Sequence, residues 1–141
     1  MTNNSSRGRI FLALMFALLL AQFSAAGFAS GPQKAEAAGL SATNQYRVWM
    51  ADAKRIYPYP QSLDKIYRVM MCESSGNPRA SGGGGAWLGL FQYAPTTWRG
   101  SWNPYRTSSI YDAKAQIYAT ARAWSIGMQG QWSCYYITAG R

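Results

Sequence analysis

The chain predicts a mainly α-helical domain of several short helices held by one disulfide, and three observations carry that expectation. Apolar residues recur at helical spacing in three stretches, near residues 41–57, 62–75 and 112–126. No alternating apolar and polar run of useful length marks a strand. Two cysteines, Cys72 and Cys134, remain in the part of the chain expected outside the cytoplasm, where pairing is the default.

The expectation of export comes from the first 37 residues. Arg7 and Arg9 precede an apolar run over residues 10–23, and small residues follow. That is the layout of a secretory signal peptide. Ala35-Glu36-Ala37 offers a small-x-small cleavage site, with Ser24-Ala25-Ala26 as an earlier alternative. Cleavage after Ala37 is favoured. The competing reading is an uncleaved anchor, because residues 10–28 are almost long enough to span a bilayer. Either way the remainder, residues 38–141, is expected outside the cytoplasm and is sized for a single small domain.

Cleavage would remove Arg7, Arg9, Lys34 and Glu36, three cations and one anion, and lower the formal net charge from +9 to +7. A basic exported protein is drawn to polyanionic surfaces such as cell-wall polymers or anionic lipid. Export argues against nucleic acid as the partner. The chain contains no histidine. Ser-His and Cys-His catalysis and histidine-rich metal sites are thereby excluded, and two sulfurs cannot form a structural zinc site unaided. No metal, no organic cofactor and a monomer are the default expectations. A disulfide between Cys72 and Cys134 closes a loop of about 60 residues, worth on the order of 4 kcal/mol.

The first helix is expected over residues 41–57, with Tyr46, Trp49, Met50, Ala53, Ile56 and Tyr57 on one stripe and Pro58 and Pro60 beyond it. The second starts at Ser62, a good N-cap, with Asp64 in the favourable first turn. Its apolar positions are Leu63, Ile66, Tyr67, Met70 and Met71, and Gly76 and Pro78 stop it. The run Gly82-Gly83-Gly84-Gly85 reads as a loop too permissive for regular structure. Pro95 suits the first turn of a short helix through Trp98. Residues 99–109 are rich in turn formers. A last helix runs from Asp112 as N-cap to Ile126, with Ala113, Ile117, Ala121 and Trp124 inward and Gly127 terminating it.

One side chain is chemically pointed. Glu73 is the only glutamate beyond residue 37 and lies in the last turn of the second helix. It follows Ile66 by seven residues and Met70 by three, so it projects from the flank of the buried face. Desolvation and the negative end of the helix dipole both favour its protonated form. A carboxylic acid held protonated suits general acid catalysis on a glycosidic oxygen. The other acids beyond residue 37 are Asp52, Asp64 and Asp112, each with a structural role in prospect. Six tryptophans and ten tyrosines are more than so small a domain can bury, and Tyr93, Trp98 and Trp102 are the expected aromatic members of a ligand groove.

In chain order these pieces resemble a known family. Glu73-Ser74-x-Gly76-Asn77-Pro78, then Gly89-Leu90-Phe91-Gln92, then Pro95-Thr96-Thr97-Trp98, then Gln116-Ile117 resemble the lysozyme-like domain of soluble lytic transglycosylases. Cys72 and the closing Gly130-Gln131-Trp132-Ser133-Cys134 resemble the resuscitation-promoting factor domain, a compact relative. The resemblance covers about residues 61–135. It implies a lysozyme-like fold with a substrate groove and cleavage of the β-1,4 bond between N-acetylmuramic acid and N-acetylglucosamine in peptidoglycan. Glu73 would be the acid and then the base. The resemblance also implies that Ser74 and Gln92 place substrate and glutamate, and that Gly89 lets the backbone approach the groove. Two departures stand out. The Ala-Tyr-Asn-Ala-Gly segment of longer transglycosylases is missing, so their groove tyrosine has no counterpart, and the glycine run lengthens the loop before Gly89.

The carboxylate count bears on mechanism. Ordinary glycosidases flank the bond with two carboxylates. With one, the substrate's N-acetyl group and C6 hydroxyl can supply the nucleophiles and give a 1,6-anhydro product. The alternatives are a muramidase that uses Glu73 with a positioned water, a catalytically inactive cationic protein that binds the wall or signals growth, and a membrane-active basic protein.

Overall fold

The computed structural model describes the backbone of residues 32–139 and the side chains of residues 41–139. The apolar leader segment and the earlier cleavage alternative lie outside the described residues. Ala37 falls within the first described helix. Among the described residues no helix is long and apolar enough to cross a membrane. Residues 35–139 belong to one compact unit.

The architecture is mainly helical. Helix α1 spans Pro32–Ile56 and α2 spans Leu63–Ser74. A two-stranded antiparallel hairpin follows, β1 (Ser81–Gly82) with β2 (Trp87–Leu88). Then come the single turn α3 (Pro95–Trp98), the central α4 (Ala113–Ser125), a 3-10 turn over Met128–Gln131 and α5 (Ser133–Ile137).

Helix α1 buries Tyr46, Met50 and Ala53, spaced by four and three residues. Ile56 does not complete the stripe as expected and is half exposed. The helix ends at that residue, and the core position beyond it is filled from the following loop by Tyr59, whose ring meets Trp124 edge-on at 5.4 Å. Helix α2 is capped as expected: Ser62 Oγ accepts the Lys65 N–H at 3.1 Å. Its buried face is Ile66, Val69 and Met70, while Leu63 stands exposed beside the cap. The helix stops one residue before the expected glycine, at Ser75, which takes a left-handed conformation (φ 53°) and returns its N–H to Met71 O.

The glycine run is more ordered than a permissive loop. Gly82 pairs with Trp87 and Ser81 with Leu88, and the turn between them uses φ of 55°, 65° and 97° at Gly83, Gly84 and Gly85. Those angles strain a residue that carries a side chain, so consecutive glycines keep the strain of so tight a reversal low.

Helix α4 is the centre of the fold. Its N-cap is Asp112, which accepts the Ala115 N–H at 3.0 Å. From Ala115 to Trp124 every residue except Arg122 is buried, so the helix is enclosed on nearly all sides rather than along one stripe. Alanines at 115, 119, 121 and 123 let its neighbours approach closely. Gly127 (φ 84°) follows the cap and turns the chain toward α5. The disulfide between Cys72 and Cys134 (Cα–Cα 5.9 Å) ties the end of α2 to α5.

Candidate active site

Glu73 continues the buried row of α2. It stands seven residues after Ile66, four after Val69 and three after Met70, and is itself half-buried. The helix therefore carries its carboxyl into the wall of a cleft of about 550 Å³. Trp87 from β2, Gln92 and Tyr93 from the following turn, and Gln131 and Trp132 from the segment before α5 line the same cleft. Burial raises the Glu73 pKa above its ordinary value, while the backbone N–H of nearby Cys134 opposes that shift less strongly.

The other carboxylates among the described residues point elsewhere. Asp52 accepts from the Tyr118 hydroxyl and from Arg55, and those bonds hold its pKa below the usual value. Asp64 pairs with Arg68 at 2.9 Å and Arg47 at 3.8 Å. Asp112 caps α4. None of them lines the cleft, and no lysine or arginine does. Glu73 is thus the one formally charged side chain in the lining, set among amides, a threonine, a serine and aromatic rings. No group of three or more potential metal ligands exists among the described residues.

Gln92 is held firmly. Its backbone is left-handed (φ 48°), a conformation that costs a non-glycine residue about 1 kcal/mol or more. Its Nε2 donates to Gly89 O at 2.9 Å. Tyr93 is buried, donates to or accepts from Thr120 at 3.0 Å, and meets Trp132 edge-on at 5.5 Å, so it forms the floor of the cleft rather than a free sugar platform. Trp132 donates its indole N–H to Phe91 O at 2.9 Å and is likewise fixed.

Four residues with expected roles lie off the cleft lining. Ser74 donates its hydroxyl back to Met70 O at 3.2 Å along its own helix. Trp98 is buried, with its indole N–H on Ser108 O, and belongs to the packing behind the cleft. Trp102 stacks on Tyr93 at 6.2 Å from the outside. Gly89 is buried, and its freedom serves packing: a Cβ there would sit 2.7 Å from Gln116 Cδ and 2.9 Å from Ile110 O, at a φ of +78°.

Two residues were given no role from sequence, although Gln116 stands in the motifs that carry the resemblance. Trp87 is the half-exposed aromatic of the cleft, its indole lying over Gly83, where a Cβ would come within 2.8 Å. A tryptophan two residues beyond the glycine run was the available signal. Gln116 is fully buried, accepts the Phe91 N–H at 2.9 Å and donates to Leu88 O and Ile110 O. It fixes the turn that carries Gln92. Gly89→Ala forces both a left-handed alanine and displacement of this amide, and is expected to cost about 3 kcal/mol, read as a lowered denaturant midpoint.

Comparison with protein-family models, characterised proteins and solved structures returns no match.

Proposed function

We propose that the chain is an exported lytic transglycosylase that cleaves the glycan strands of peptidoglycan with Glu73 as its single acid and base. The observation that carries this reading is the solitude of Glu73: of the described carboxylates it alone lines the cleft, and burial favours its acid form. The disulfide is compatible with a protein that works outside the cytoplasm. The aromatic and amide lining suits a neutral sugar chain, which needs apolar ring faces and hydrogen-bonding partners more than charge.

The chemistry proceeds as follows. Protonated Glu73 gives its proton to the glycosidic oxygen as the bond to C1 of the muramic acid breaks. The sugar's own N-acetyl oxygen stabilises C1. The resulting Glu73 carboxylate then accepts the proton of the C6 hydroxyl while that oxygen bonds C1. The products are a shortened strand with a free 4-hydroxyl and a 1,6-anhydro-muramic acid end. No water is consumed and the glutamic acid is regenerated. The N–H of Cys134 stabilises the carboxylate between the two steps, which keeps the acid and base forms within reach of each other.

Mass spectrometry of purified peptidoglycan after incubation tests the reading. Muropeptides one water lighter than hydrolysis products are expected. Reducing-end products instead would make the protein a muramidase with a water held against Glu73. Absence of soluble fragments would leave a wall-binding or signalling role. Trp87→Ala is expected to raise KM on glycan strands about tenfold with a smaller change in kcat, since one lost ring contact is worth roughly 1 kcal/mol or a little more.

A further inference from the structure

A second hollow, of about 370 Å³, lies across α3 from the Glu73 cleft. The short helix forms the partition: Ala94 and Thr97 face the cleft, whereas Pro95, Trp98 and Arg99 face the hollow. Strand β2 divides in the same way, with Trp87 on the cleft side and Leu88 on the other, as successive strand residues must. The floor of the hollow is apolar, made by Leu88, Pro95, Trp98 and Ile110. Its remaining lining is Arg99 and Arg106 together with Thr107, Ser108 and Ser109. It contains no carboxylate.

Among the described residues neither arginine has an acidic partner. The ion pairs among the described residues use Arg47, Arg55 and Arg68. Arg106 donates one guanidinium N–H to Asn103 O at 3.3 Å, which leaves its other donors available. The loop that carries it is built rather than loose. Asn103 is fully buried, donates to Trp98 O at 2.8 Å and accepts the Tyr105 N–H at 2.9 Å. Trp98 and Gln116 hold the far rim through Ser108 O and Ile110 O.

We infer that this hollow is a subsite for the acidic peptide that branches from the muramic acid, with Arg99 and Arg106 pairing its carboxylates and the apolar floor receiving its short aliphatic side chains. The inference rests on the function proposed above. Reach is adequate: a helical turn with its side chains is about 10–12 Å across, and an extended peptide advances about 3.3–3.6 Å per residue, so three or four residues pass from one side of α3 to the other. The arginine forks match carboxylates in geometry. A phosphate polymer of the wall shares the negative charge but has little use for the apolar floor.

The test titrates three probes into the isotope-labelled full chain by NMR: the free peptide stem without sugar, the same peptide with its carboxylates amidated, and a glycerol phosphate oligomer. The free stem is expected to shift the amides of residues 99–110 and the Trp98 indole N–H. Its affinity is expected to fall at least tenfold on amidation and in the R99A/R106A double variant, whose thermal midpoint should match the wild type because both side chains are exposed. No response at residues 98–110, an unchanged affinity in the double variant, or tighter binding of the phosphate oligomer would each overturn the subsite. The readout needs no turnover. An inactive protein that binds the stem here would therefore remove the transglycosylase reading alone, and an active one that ignores the stem would remove the subsite alone.

Discussion

Glu73→Gln is expected to lower turnover on peptidoglycan by about 10³-fold or more while leaving the fold and wall binding intact. A single general acid or base contributes roughly 10²–10⁴, and here one carboxyl serves as both, in consecutive steps. The amide fills the same volume and can face the Cys134 N–H as the carboxyl does, but it has no acidic proton to deliver. The pH dependence carries a signature. Burial raises the Glu73 pKa, so the acid form needed for bond cleavage persists above the ordinary carboxylate range, and activity falls as pH rises through that raised value. Stability follows the same linkage. A carboxyl with a raised folded-state pKa contributes its stability below the unfolded-state pKa and loses it as pH rises through the folded-state value. Glu73→Gln should therefore match the wild type in melting temperature near pH 3 and exceed it at pH 7. A variant with near-normal turnover would remove Glu73 from the mechanism, and one less stable at pH 7 would remove the desolvation argument.

What could be read from the chain alone divides along a physical line. Ser62 and Asp112 were identifiable as caps because a cap is a hydrogen bond across three residues, and both bonds are present. Glu73 was placed on a buried flank because helical periodicity fixes which residues share a face, whatever the rest of the chain does. The aromatics were a different matter. Trp98 was expected in the groove and is buried, while Trp87 went unnoticed and lines it. Which indole faces solvent depends on where the hairpin folds relative to the loop after α3, and no local pattern encodes that. Gly89 shows the same limit. Its neighbour in space, Gln116, lies 25 to 28 residues from the turn it holds. Helix α5, only five residues long, is too short for a periodic signal.

The disulfide variant Cys134→Ser is the other change with a large expected effect, because the bond acts on stability and on the cleft together. Its two cysteines are 62 positions apart, and opening so long a loop restores unfolded-state entropy worth on the order of 4 kcal/mol. For a domain of this size that corresponds to a melting temperature lower by roughly 15–30 °C. The remaining ties between α2 and α5 are few: Lys65 bonds Tyr135 O and Thr138 Oγ1, and Gln61 bonds the Tyr135 hydroxyl at 3.1 Å. Looser docking of α5 would move the Cys134 N–H and Trp132, which shape the Glu73 environment. Water would then reach the carboxyl, its pKa would fall toward the ordinary value, and the high-pH edge of activity would shift to lower pH at temperatures where the variant is still folded. Adding reductant to the wild-type protein should reproduce both effects. A melting temperature unchanged by reduction would show that packing around α4 alone holds α5 in place. A lowered one with an unshifted pH profile would confine the bond to stability and leave the acidity of Glu73 to the cleft walls.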